Sequence, residues 1–410
     1  MDADLPILVA GAGIAGLTAA LALAARGIPV VVLERAHQLS EIGAGLQLSP
    51  NATSILRAYG VTDALGEAAV QPRRVRLMRA SDLGEIAHVP LGSWAEQRWG
   101  APYLTAHRAD LQAALLECVR AEPKISLVMS AKVEGAACGS AGPSAEITGI
   151  EGPASMRARM IIAADGVWSG LRRQVDPASE CRFAGRIAWR VTLNAGHRAL
   201  RALAPSGRAQ DVVAVLDSAF HLVAYPMGGG QEVNLVAFTA GTDDSAGWSG
   251  TRDPAPLQYC LQRSDERLAA LAEPGIAWTS YPMYTVISLK RWFDPGGLVL
   301  VGDAAHAMTP FAAQGAAMAI EDAETLADAL GDRPASSGRI VAWQAARRER
   351  VARVARRGAL NHLAWSALGP VALARDLLLR LRPPESLAAD LDWLYGWRPP
   401  AAGKVSAGSG

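Results

Sequence analysis

Apolar and polar residues in the first part of the chain follow the pattern of strands joined by a crossover helix. Pro6 to Ala10 is a short apolar run that predicts a buried strand. Ile14 to Ala25 predicts a helix that ends at the basic Arg26 and at Gly27. Pro29 to Leu33 is rich in β-branched residues and predicts a second, parallel strand. This pattern predicts a strand–turn–helix–strand unit of the parallel, crossover kind.

The middle of the chain changes to the pattern of an antiparallel sheet. Before the change, strands are predicted at Ile125 to Met129 and Met160 to Ala164, and a helix at Ala109 to Arg120. From about Cys181, short β-rich runs recur at intervals of about 8–12 residues, which indicates an inserted β-sheet domain. These runs are Arg186 to Leu193, Asp211 to Leu216, His221 to Tyr225 and Glu232 to Phe238.

The last third returns to the buried-strand and helix patterns. Leu298 to Val301 predicts a strand, and Gly315 to Leu330 predicts a long helix rich in alanine. Ile340 to Gly358 predicts a helix whose many arginines are typical of a solvated face. An apolar helical stretch from Leu360 to Leu381 follows, and the Gly/Ser/Ala tail, residues 399–410, is expected to be flexible.

Composition and charge narrow the class of protein. Half of the 410 residues are apolar, and 40 Lys and Arg against 39 Asp and Glu give a net charge of +1. That balance gives no electrostatic reason to expect a nucleic acid partner. The four cysteines have no metal-ligand spacing, so we expect free, buried thiols, no metal and a reducing compartment.

One uncharged run, Ile7 to Ala25, is long enough to resemble a membrane span or a signal peptide. The residues before it are acidic where a signal peptide needs Lys or Arg, and its glycines suit a tight turn better than a membrane helix. We therefore expect a cytoplasmic protein without stable membrane insertion.

The glycines of this run form a G-x-G-x-x-G motif between the first strand and the first helix. Gly11 permits the tight turn, Gly13 lets a pyrophosphate approach the backbone, and Gly16 lets the helix pack closely on the strand. The positive end of the helix dipole would stabilise the phosphates. The next strand ends at Glu34, whose carboxylate can accept hydrogen bonds from a ribose diol. The context predicts a dinucleotide site.

Two later segments place further candidate residues directly after buried strands. Gly302 and Asp303 follow the LVLV strand, and the carboxylate could bind a chain of hydroxyl groups. Pro310 to Gly315 leads into the next helix, whose N-terminus could stabilise negative charge on an adjacent ring. Asp165 and Gly166 follow a strand of their own.

Together these segments resemble the three fingerprints of the class A FAD-dependent aromatic hydroxylases. The matching stretches are GAGIAG from Gly11, the ADG ending at Gly166, and GDAAHAMTPFAAQGAAMAIEDA from Gly302 to Ala323. The salicylate hydroxylase-like branch is similar in EIGAGLQLSPNA from Glu41, in Arg108 within HRADL, and in LDWLYGW from Leu391. One departure is Ala307, where the family usually has proline; the change would loosen that turn without removing a cofactor contact.

The resemblance implies an α/β fold: a Rossmann-like, GR2-type FAD-binding domain, an inserted and mostly antiparallel β-sheet substrate domain, and C-terminal helices. The implied FAD-binding segments are residues 1–75, 101–180 and 285–359, the substrate-domain segments are 76–100 and 181–284, and the C-terminal helices are 360–398. No separate nicotinamide domain is expected.

The resemblance also assigns the residues that hold FAD. Gly11 to Gly16 and Arg108 would bind the pyrophosphate. Glu34 and Arg35 would lie at the adenosine ribose, and Asp303 would bind the ribityl chain. The full expected set is Gly11, Gly13, Ile14, Ala15, Gly16, Glu34, Arg35, Gly45, Gln47, Arg108, Asp165, Gly302, Asp303, Pro310, Gly315 and Ala316.

The family reaction uses NADH or NADPH to reduce FAD, after which O2 forms a flavin C4a-hydroperoxide that transfers one oxygen atom to an activated aromatic ring. Asp165 would contact both FAD and the transient nicotinamide cofactor. The expected substrate is a small hydroxylated aromatic or pyridine carboxylic acid. The protein must exclude water and help the ring hydroxyl lose its proton.

His221 and Tyr225 are the candidate catalytic residues. They lie four residues apart on a predicted strand and therefore on one face of it, and a His pKa near 7 suits proton removal. Arg190 could pair with a substrate carboxylate. A histidine satisfied by its strand neighbours and a solvent-exposed arginine are the structural alternatives. The full expected substrate contacts are Gln47, Arg190, His221, Tyr225, Pro310 and Gln314.

Two other functions stay open on this scaffold. A flavin-dependent epoxidase or reductase of an isoprenoid or polycyclic substrate would need a long apolar tunnel and a membrane-binding surface, which Leu360 to Leu381 could supply. A non-catalytic flavin-binding protein would show no flavin reduction by NADH or NADPH with any aromatic acid. The protein is expected to be a monomer or a homodimer.

Overall fold

The computed structural model describes residues 5–39, 45–139, 142–149, 152–201, 203, 210–243, 252–287, 289–331 and 337–400. Residues 401–410 of the predicted tail, and Glu41 to Ala44 of the EIGAGLQLSPNA segment, lie outside these ranges.

The strands are β1 (Ile7–Ala10), β2 (Val30–Leu33), β3 (Gly45–Leu48), β4 (Arg74–Arg79), β5 (Glu85–Pro90), β6 (Leu104–His107), β7 (Ile125–Val128), β8 (Ala131–Gly139), β9 (Gly142–Gly149), β10 (Ala154–Arg157), β11 (Met160–Ala163), β12 (Glu180–Asn194), β13 (Val212–Leu216), β14 (Phe220–Met227), β15 (Glu232–Ala240), β16 (Thr279–Ile287), β17 (Phe293–Asp294) and β18 (Leu298–Leu300).

The α-helices are α1 (Ile14–Ala24), α2 (Pro50–Ala58), α3 (Val61–Leu65), α4 (Gly92–Trp99), α5 (Arg108–Ala121), α6 (Arg172–Val175), α7 (Ala255–Gln262), α8 (Glu266–Ala269), α9 (Asp303–His306), α10 (Gly315–Leu330), α11 (Ser337–Trp365), α12 (Gly369–Arg380), α13 (Pro384–Ala389) and α14 (Asp392–Tyr395). Short 3-10 turns lie at Gly66–Ala68, Arg198–Leu200, Gly228–Gly230, Ala270–Ala272 and Pro310–Ala312.

A six-stranded sheet in the order β17-β18-β11-β1-β2-β7 forms the layer with the glycine motif. All of its strands are parallel except β17, which pairs antiparallel with β18. The predicted strand–helix–strand unit is confirmed as β1, α1 and β2. Strands β1, β11 and β18 are fully buried, which explains why their sequences read as continuous apolar runs.

A seven-stranded sheet in the order β16-β12-β15-β14-β13-β4-β5 forms the second layer. The predicted antiparallel pairing is confirmed for β12 with β15 and for β14 with β13 and β15. Strands β13 and β4 run parallel, which a mostly antiparallel sheet allows. These two strands come from distant parts of the chain, so no tight turn between them imposes an antiparallel direction. The segment boundaries of the two domains stay a prediction.

The apolar stretch after the arginine helix is divided differently from the prediction. Helix α11 continues through Trp365, and α12 begins only at Gly369, which has φ +53° and is followed by Pro370. Several large apolar side chains of α12 are exposed. In the described part of the chain, no helix combines the length and the apolar character that a membrane crossing requires. The four thiols are free, as predicted, but Cys138 is exposed and Cys118, Cys181 and Cys260 are only partly buried, so the prediction of buried thiols is wrong.

Two adjacent carboxylates, Glu321 and Asp322 of α10, are fully buried and share one arginine of α11. Arg347 donates from Nη1 to Glu321 Oε2 and from Nε to Asp322 Oδ1, each at 2.7 Å. Arg347 is only 3% exposed. The predicted solvated face is therefore wrong for this part of the arginine helix, because the buried carboxylates hold the cation inside.

Asp322 also fixes the turn that follows β18. Its Oδ2 accepts the Gly302 N–H at 2.9 Å and lies 2.5 Å from His306 Nε2. Burial opposes ionisation of Asp322, but the His306 and Arg347 charges outweigh burial and lower the pKa of the carboxyl. An ionised Asp322 therefore ties the Gly302 turn to α10.

Glu321 extends the same network to α2 and to the C-terminal segment. Its Oε1 accepts from Asn51 Nδ2 at 2.7 Å and from Arg350 Nη2 at 2.8 Å. Arg350 in turn donates to the Trp393 carbonyl at 2.8 Å and lies 4.9 Å from the Trp397 ring centroid. The LDWLYGW segment thus covers the arginines from outside.

Replacing Glu321 by Gln should lower the free energy of unfolding by about 3–5 kcal/mol, because Arg350 loses its buried counter-charge and Arg347 loses one of its two. Urea denaturation followed by far-UV circular dichroism measures the loss. Glu96→Gln is the matched control: its carboxylate lies 3.8 Å from Arg57 and both side chains are about half exposed, so the change should stay below about 1 kcal/mol. Equal losses in the two variants would contradict the network's role.

Candidate active site

The glycine motif and the ADG turn pack directly against each other at the carboxyl ends of β1 and β11. Gly11 has φ +108°, and a Cβ placed on it would lie 2.6 Å from the Ala164 carbonyl oxygen. A Cβ on Gly16 would lie 1.9 Å from the Gly11 carbonyl oxygen. Neither position can hold a side chain, so both glycines are required for this close packing. Gly13 differs, because a Cβ there would meet no protein atom within 4 Å.

Glu34, at the end of β2, holds the glycine turn through its carboxylate. One oxygen accepts the Ala12 N–H at 2.8 Å and the other accepts the Ala36 N–H at 2.9 Å. Each carboxylate oxygen has a second lone pair, so these bonds leave acceptor capacity for a ribose hydroxyl. Arg35 follows as an exposed side chain.

Asp165 and Arg172 organise the turn after β11. Burial raises the pKa of the Asp165 carboxyl, and its Oδ1 has no hydrogen-bond partner among the described residues. Arg172 donates to the carbonyls of Val167 and Ala304, each at 2.6 Å, and thereby joins the ADG turn to α9. Arg172 was not predicted from the sequence, since neither its spacing nor a motif distinguishes it from exposed arginines.

The third fingerprint forms the turn between β18 and α10. Gly302 has φ +60°, and a Cβ on it would lie 3.1 Å from the Cβ atoms of Ala15 and Ala319, so the turn lies tightly against α1 and α10. Asp303 begins α9 and is exposed. Helix α10 begins at Gly315, and no side chain caps its N-terminus. Its first N–H groups can therefore serve an anionic partner.

Gln314, a predicted substrate contact, is buried between the loop before α10 and α2. It is 1% exposed, its Nε2 donates to Ser49 Oγ at 2.9 Å, and its Oε1 accepts from Asn51 Nδ2 at 3.2 Å. Gln314 thus joins the loop before α10 to α2 and to the buried network. It is absent from the lining of the described cavity, so this placement does not support its predicted substrate contact.

A cavity of about 580 Å³ is lined by strands of the seven-stranded sheet, by β3, by the loop before α10 and by α11 and the helices after it. The predicted residues that line it are Ile14, Gly45, Gln47, Arg108, Arg190, His221, Tyr225, Pro310, Gly315 and Ala316. The other predicted cofactor residues follow the carboxyl ends of β1, β2, β11 and β18: Gly11, Gly13, Ala15, Gly16, Glu34, Arg35, Asp165, Gly302 and Asp303. Some of the expected cofactor residues therefore line the same cavity as the expected substrate residues Arg190, His221 and Tyr225.

His221 is buried at one end of this cavity. Its ring stacks on the rings of Trp365 and Phe238, with distances between ring centroids of 4.4 Å and 6.1 Å. Burial lowers the pKa of His221 to about 3, so the imidazole is neutral near pH 7. Its Nδ1 lies 3.1 Å from the Val215 carbonyl oxygen, which can only accept, so Nδ1 carries the proton. Nε2 is left as a buried acceptor without a partner among the described residues.

Tyr225 lies on the same face of β14 as His221, as the period-2 pattern predicts, since both line the cavity. Burial raises the pKa of Tyr225, so its hydroxyl stays protonated. A Cβ on Gly45 would lie 2.8 Å from the Tyr225 hydroxyl, which brings β3 against this end of the cavity. Gln47 of the same strand accepts a hydrogen bond from Tyr103 at 2.6 Å.

The charges that line the cavity are strongly unbalanced. Its arginines are Arg108, Arg190, Arg357, Arg375 and Arg382, whereas its lining includes one carboxylate, Asp390. Asp390 is already bonded to Arg382 at 2.6 Å. The cavity is therefore an environment for an anionic ligand.

The protein atoms fit a dinucleotide cofactor at the strand ends. A Cβ on Gly13 would meet no protein atom, which leaves room for a cofactor phosphate. Asp165 Oδ1 has no partner among the described residues and could accept from a cofactor hydroxyl. No side chain caps the N-termini of α1 and α10, so their N–H groups could bind a phosphate or a ring oxygen. No cluster of three or more His, Cys, Asp or Glu suited to a metal ion occurs in the part of the chain that the structure describes.

Comparison with known proteins gives a family and close relatives. The profile of the family described as FAD binding domain matches residues 4–358. The chain is 32% identical over 393 residues to 3-hydroxybenzoate 6-hydroxylase 1 of Aquipseudomonas alcaligenes, covering 95% of this chain and 97% of that protein. It is 34% identical over 403 residues to 3-amino-4-hydroxybenzoate 2-monooxygenase of Streptomyces cremeus, covering 97% and 96%.

Solved structures share the fold over nearly the whole chain. A salicylate hydroxylase substrate complex superimposes with a TM-score of 0.78 at 20% identity and covers 97% of each chain. Klebsiella pneumoniae HpxO with FAD and uric acid gives a TM-score of 0.78 at 21% identity, covering 95% of this chain and 96% of that one.

Gly13→Ala should weaken FAD binding by at least about 10-fold, since its Cβ meets no protein atom and would enter the space predicted for the pyrophosphate. Titration of the apoprotein with FAD, followed by quenching of flavin fluorescence, measures the change. The urea midpoint of the apo variant should equal that of the wild type. Gly170→Ala, which also meets no atom within 4 Å but lies outside the motif, is the control. Unchanged FAD affinity in Gly13→Ala would contradict the assignment.

Proposed function

The chain belongs to the FAD binding domain family as a flavin-dependent aromatic hydroxylase, and we propose that its substrate is a hydroxylated aromatic or pyridine ring bearing a carboxylate. The observation that carries the proposal is the pairing, in one cavity, of the bare His221 Nε2 acceptor with an excess of arginines. The His221 Nε2 acceptor can bind the hydroxyl of the ring, and the arginines can bind its carboxylate.

FAD, when bound, takes two electrons from NADH or NADPH and activates O2, so that one oxygen atom enters the ring and the other leaves as water. We propose that the glycine turn and α1 hold its pyrophosphate, Glu34 its adenosine ribose and Asp303 its ribityl chain. The uncapped α10 N-terminus would stabilise negative charge on the ring system.

His221 would accept the hydrogen bond of the substrate hydroxyl at Nε2. Its neutral ring and fixed Nδ1–H tautomer favour this role, because Nε2 has no competing partner among the described residues. As the hydroxyl loses its proton, the resulting negative charge beside the imidazole would raise the pKa of His221 from its low value. Proton acceptance by Nε2 makes the ring carbon more nucleophilic.

The aromatic side chains around His221 would exclude water from the reacting ring. Trp365 covers one face of the imidazole, and Phe238 lies 5.6 Å from Phe311 of the loop before α10. Water exclusion matters because activated oxygen is otherwise lost as peroxide. Arg190 lines the same cavity beside Tyr225, and its charge favours ionisation of that hydroxyl.

An isoprenoid or polycyclic substrate fits this cavity less well. Exposed leucines of α12 supply an apolar outer surface, as such an enzyme would need. A large neutral ligand, however, would desolvate Arg357 in the cavity lining without supplying a counter-charge.

His221→Ala should keep bound FAD and continue to oxidise NADH, but form hydroxylated product about 10²-fold more slowly, with the missing product appearing as peroxide. Product by chromatography and peroxide by a coupled assay are measured in one reaction with 3-hydroxybenzoate, salicylate and 3-amino-4-hydroxybenzoate. His88→Ala, on the edge strand β5 and outside the cavity lining, should behave as the wild type. A normal product yield in His221→Ala would remove this histidine from the mechanism.

A further inference from the structure

The cavity arginines differ in whether they already have a carboxylate partner. Arg375 bonds Asp376 at 2.7 Å and also donates to the Ala364 carbonyl at 2.8 Å. Arg382 bonds Asp390 at 2.6 Å. A carboxylate ligand would therefore compete with an existing ion pair at either residue.

Arg357 differs, since it forms no ion pair with any residue that the structure describes. It lines the cavity, and its Nε is buried without a hydrogen-bond partner in the described ranges. A buried guanidinium N–H without an acceptor is costly, and an anionic ligand would remove that cost. The nearby Asp390 does not meet the need, because it bonds Arg382 and senses Arg357 only through space.

The position of Arg357 on α11 aligns it with the proposed proton acceptor. Cavity residues recur on this helix at Arg357, Leu360, Asn361, Ala364 and Trp365, which form one helix face. The last of them, Trp365, stacks on His221. Eight residues separate the two ends of this face, or about 12 Å along the helix axis. One aromatic ring with a hydrogen bond of about 2.8 Å at each end can bridge such a span.

The same helix face is fixed against the loop before α10. Asn361 Nδ2 donates to the Phe311 carbonyl at 3.0 Å, and a Cβ on Gly358 would lie 3.6 Å from the Ala312 nitrogen. Arg357 lines the same cavity as Pro310 to Ala313 of this loop, which would border the flavin. Its placement is set by the helix rather than by a movable loop.

We propose that Arg357 is the residue that binds the substrate carboxylate and so determines the enzyme's preference for acids over neutral phenols. The inference rests on the proposed function, since it names the group that recognises one end of the same substrate. Arg190, predicted for this role from the sequence, also lines the cavity, and its guanidinium lies 5.1 Å from the Tyr281 ring centroid. Arg357 and Arg190 are thus alternative candidates for binding the substrate carboxylate, and one experiment distinguishes them.

The test compares acids with their uncharged amides in the FAD-loaded enzyme without NADH. Salicylate, 3-hydroxybenzoate and 3-amino-4-hydroxybenzoate, each paired with its carboxamide, are titrated while the flavin absorption band is followed. Arg357→Gln should weaken binding of the preferred acid about 10- to 100-fold and change binding of its amide by less than about 3-fold. Arg357→Lys should recover much of the acid affinity, because it restores the charge without the bidentate geometry.

Arg356→Gln is the matched control, since Arg356 is the exposed neighbour on the same helix and lies outside the cavity lining. It should bind both ligands as the wild type does. In turnover, Arg357→Gln should raise KM for the acid far more than it lowers kcat, as expected for a binding group distant from the reacting hydroxyl.

Three results would overturn the inference while leaving the proposed function intact: unchanged acid binding in Arg357→Gln, equal loss of acid and amide, or a carboxylate-selective loss in Arg190→Gln alone. If the wild type binds none of the three acids and no hydroxylated pyridine carboxylic acid either, the proposed function fails and the inference fails with it. The two failures are therefore distinguished by the wild-type titration.

Discussion

The buried pair of carboxylates on α10 is the constraint on which the site depends. Glu321 and Asp322 are removed from water, which is tolerable only because Arg347 and Arg350 supply opposite charge and directed hydrogen bonds. Through Asp322 the network holds the Gly302 turn. Through Glu321 it reaches α2 and the C-terminal segment. Helix α10 cannot shift along its axis without breaking these bonds, so the network fixes where its N-terminus lies.

The position of this N-terminus determines where the loop before α10 lies against the β-sheet layer. The loop before α10 borders the expected cofactor position on one side, and Phe311 lies against Phe238 of the β-sheet layer on the other. His221 then lies under Trp365, dehydrated and neutral, with one bare nitrogen. The buried charged network thus fixes the position of the α10 N-terminus. The aromatic residues around His221 lower the local dielectric where a proton must move.

Local patterns predicted the parts of the molecule that depend on neighbours in the chain. The β1–α1–β2 unit was predictable from apolar runs and three glycines, and the shared face of His221 and Tyr225 from a period of two. Contacts between distant segments were not. Arg347 looks like any arginine of a solvated helix until Glu321 and Asp322 are packed beside it, and Trp365 meets His221 across more than a hundred residues. Gln314 was assigned from its motif, and only packing shows that it turns toward Ser49.

The most direct test of the account is anaerobic reduction of the bound flavin by NADH or NADPH, followed at the visible absorption band with and without hydroxylated aromatic and pyridine acids. We expect slow reduction without an acid and a large acceleration by at least one acid, because the acid would bind in the cavity that the loop before α10, beside the expected flavin position, also lines. A rate of flavin reduction that no acid changes would contradict the assignment of an aromatic acid as substrate. A protein that takes up no FAD would contradict the flavoenzyme itself.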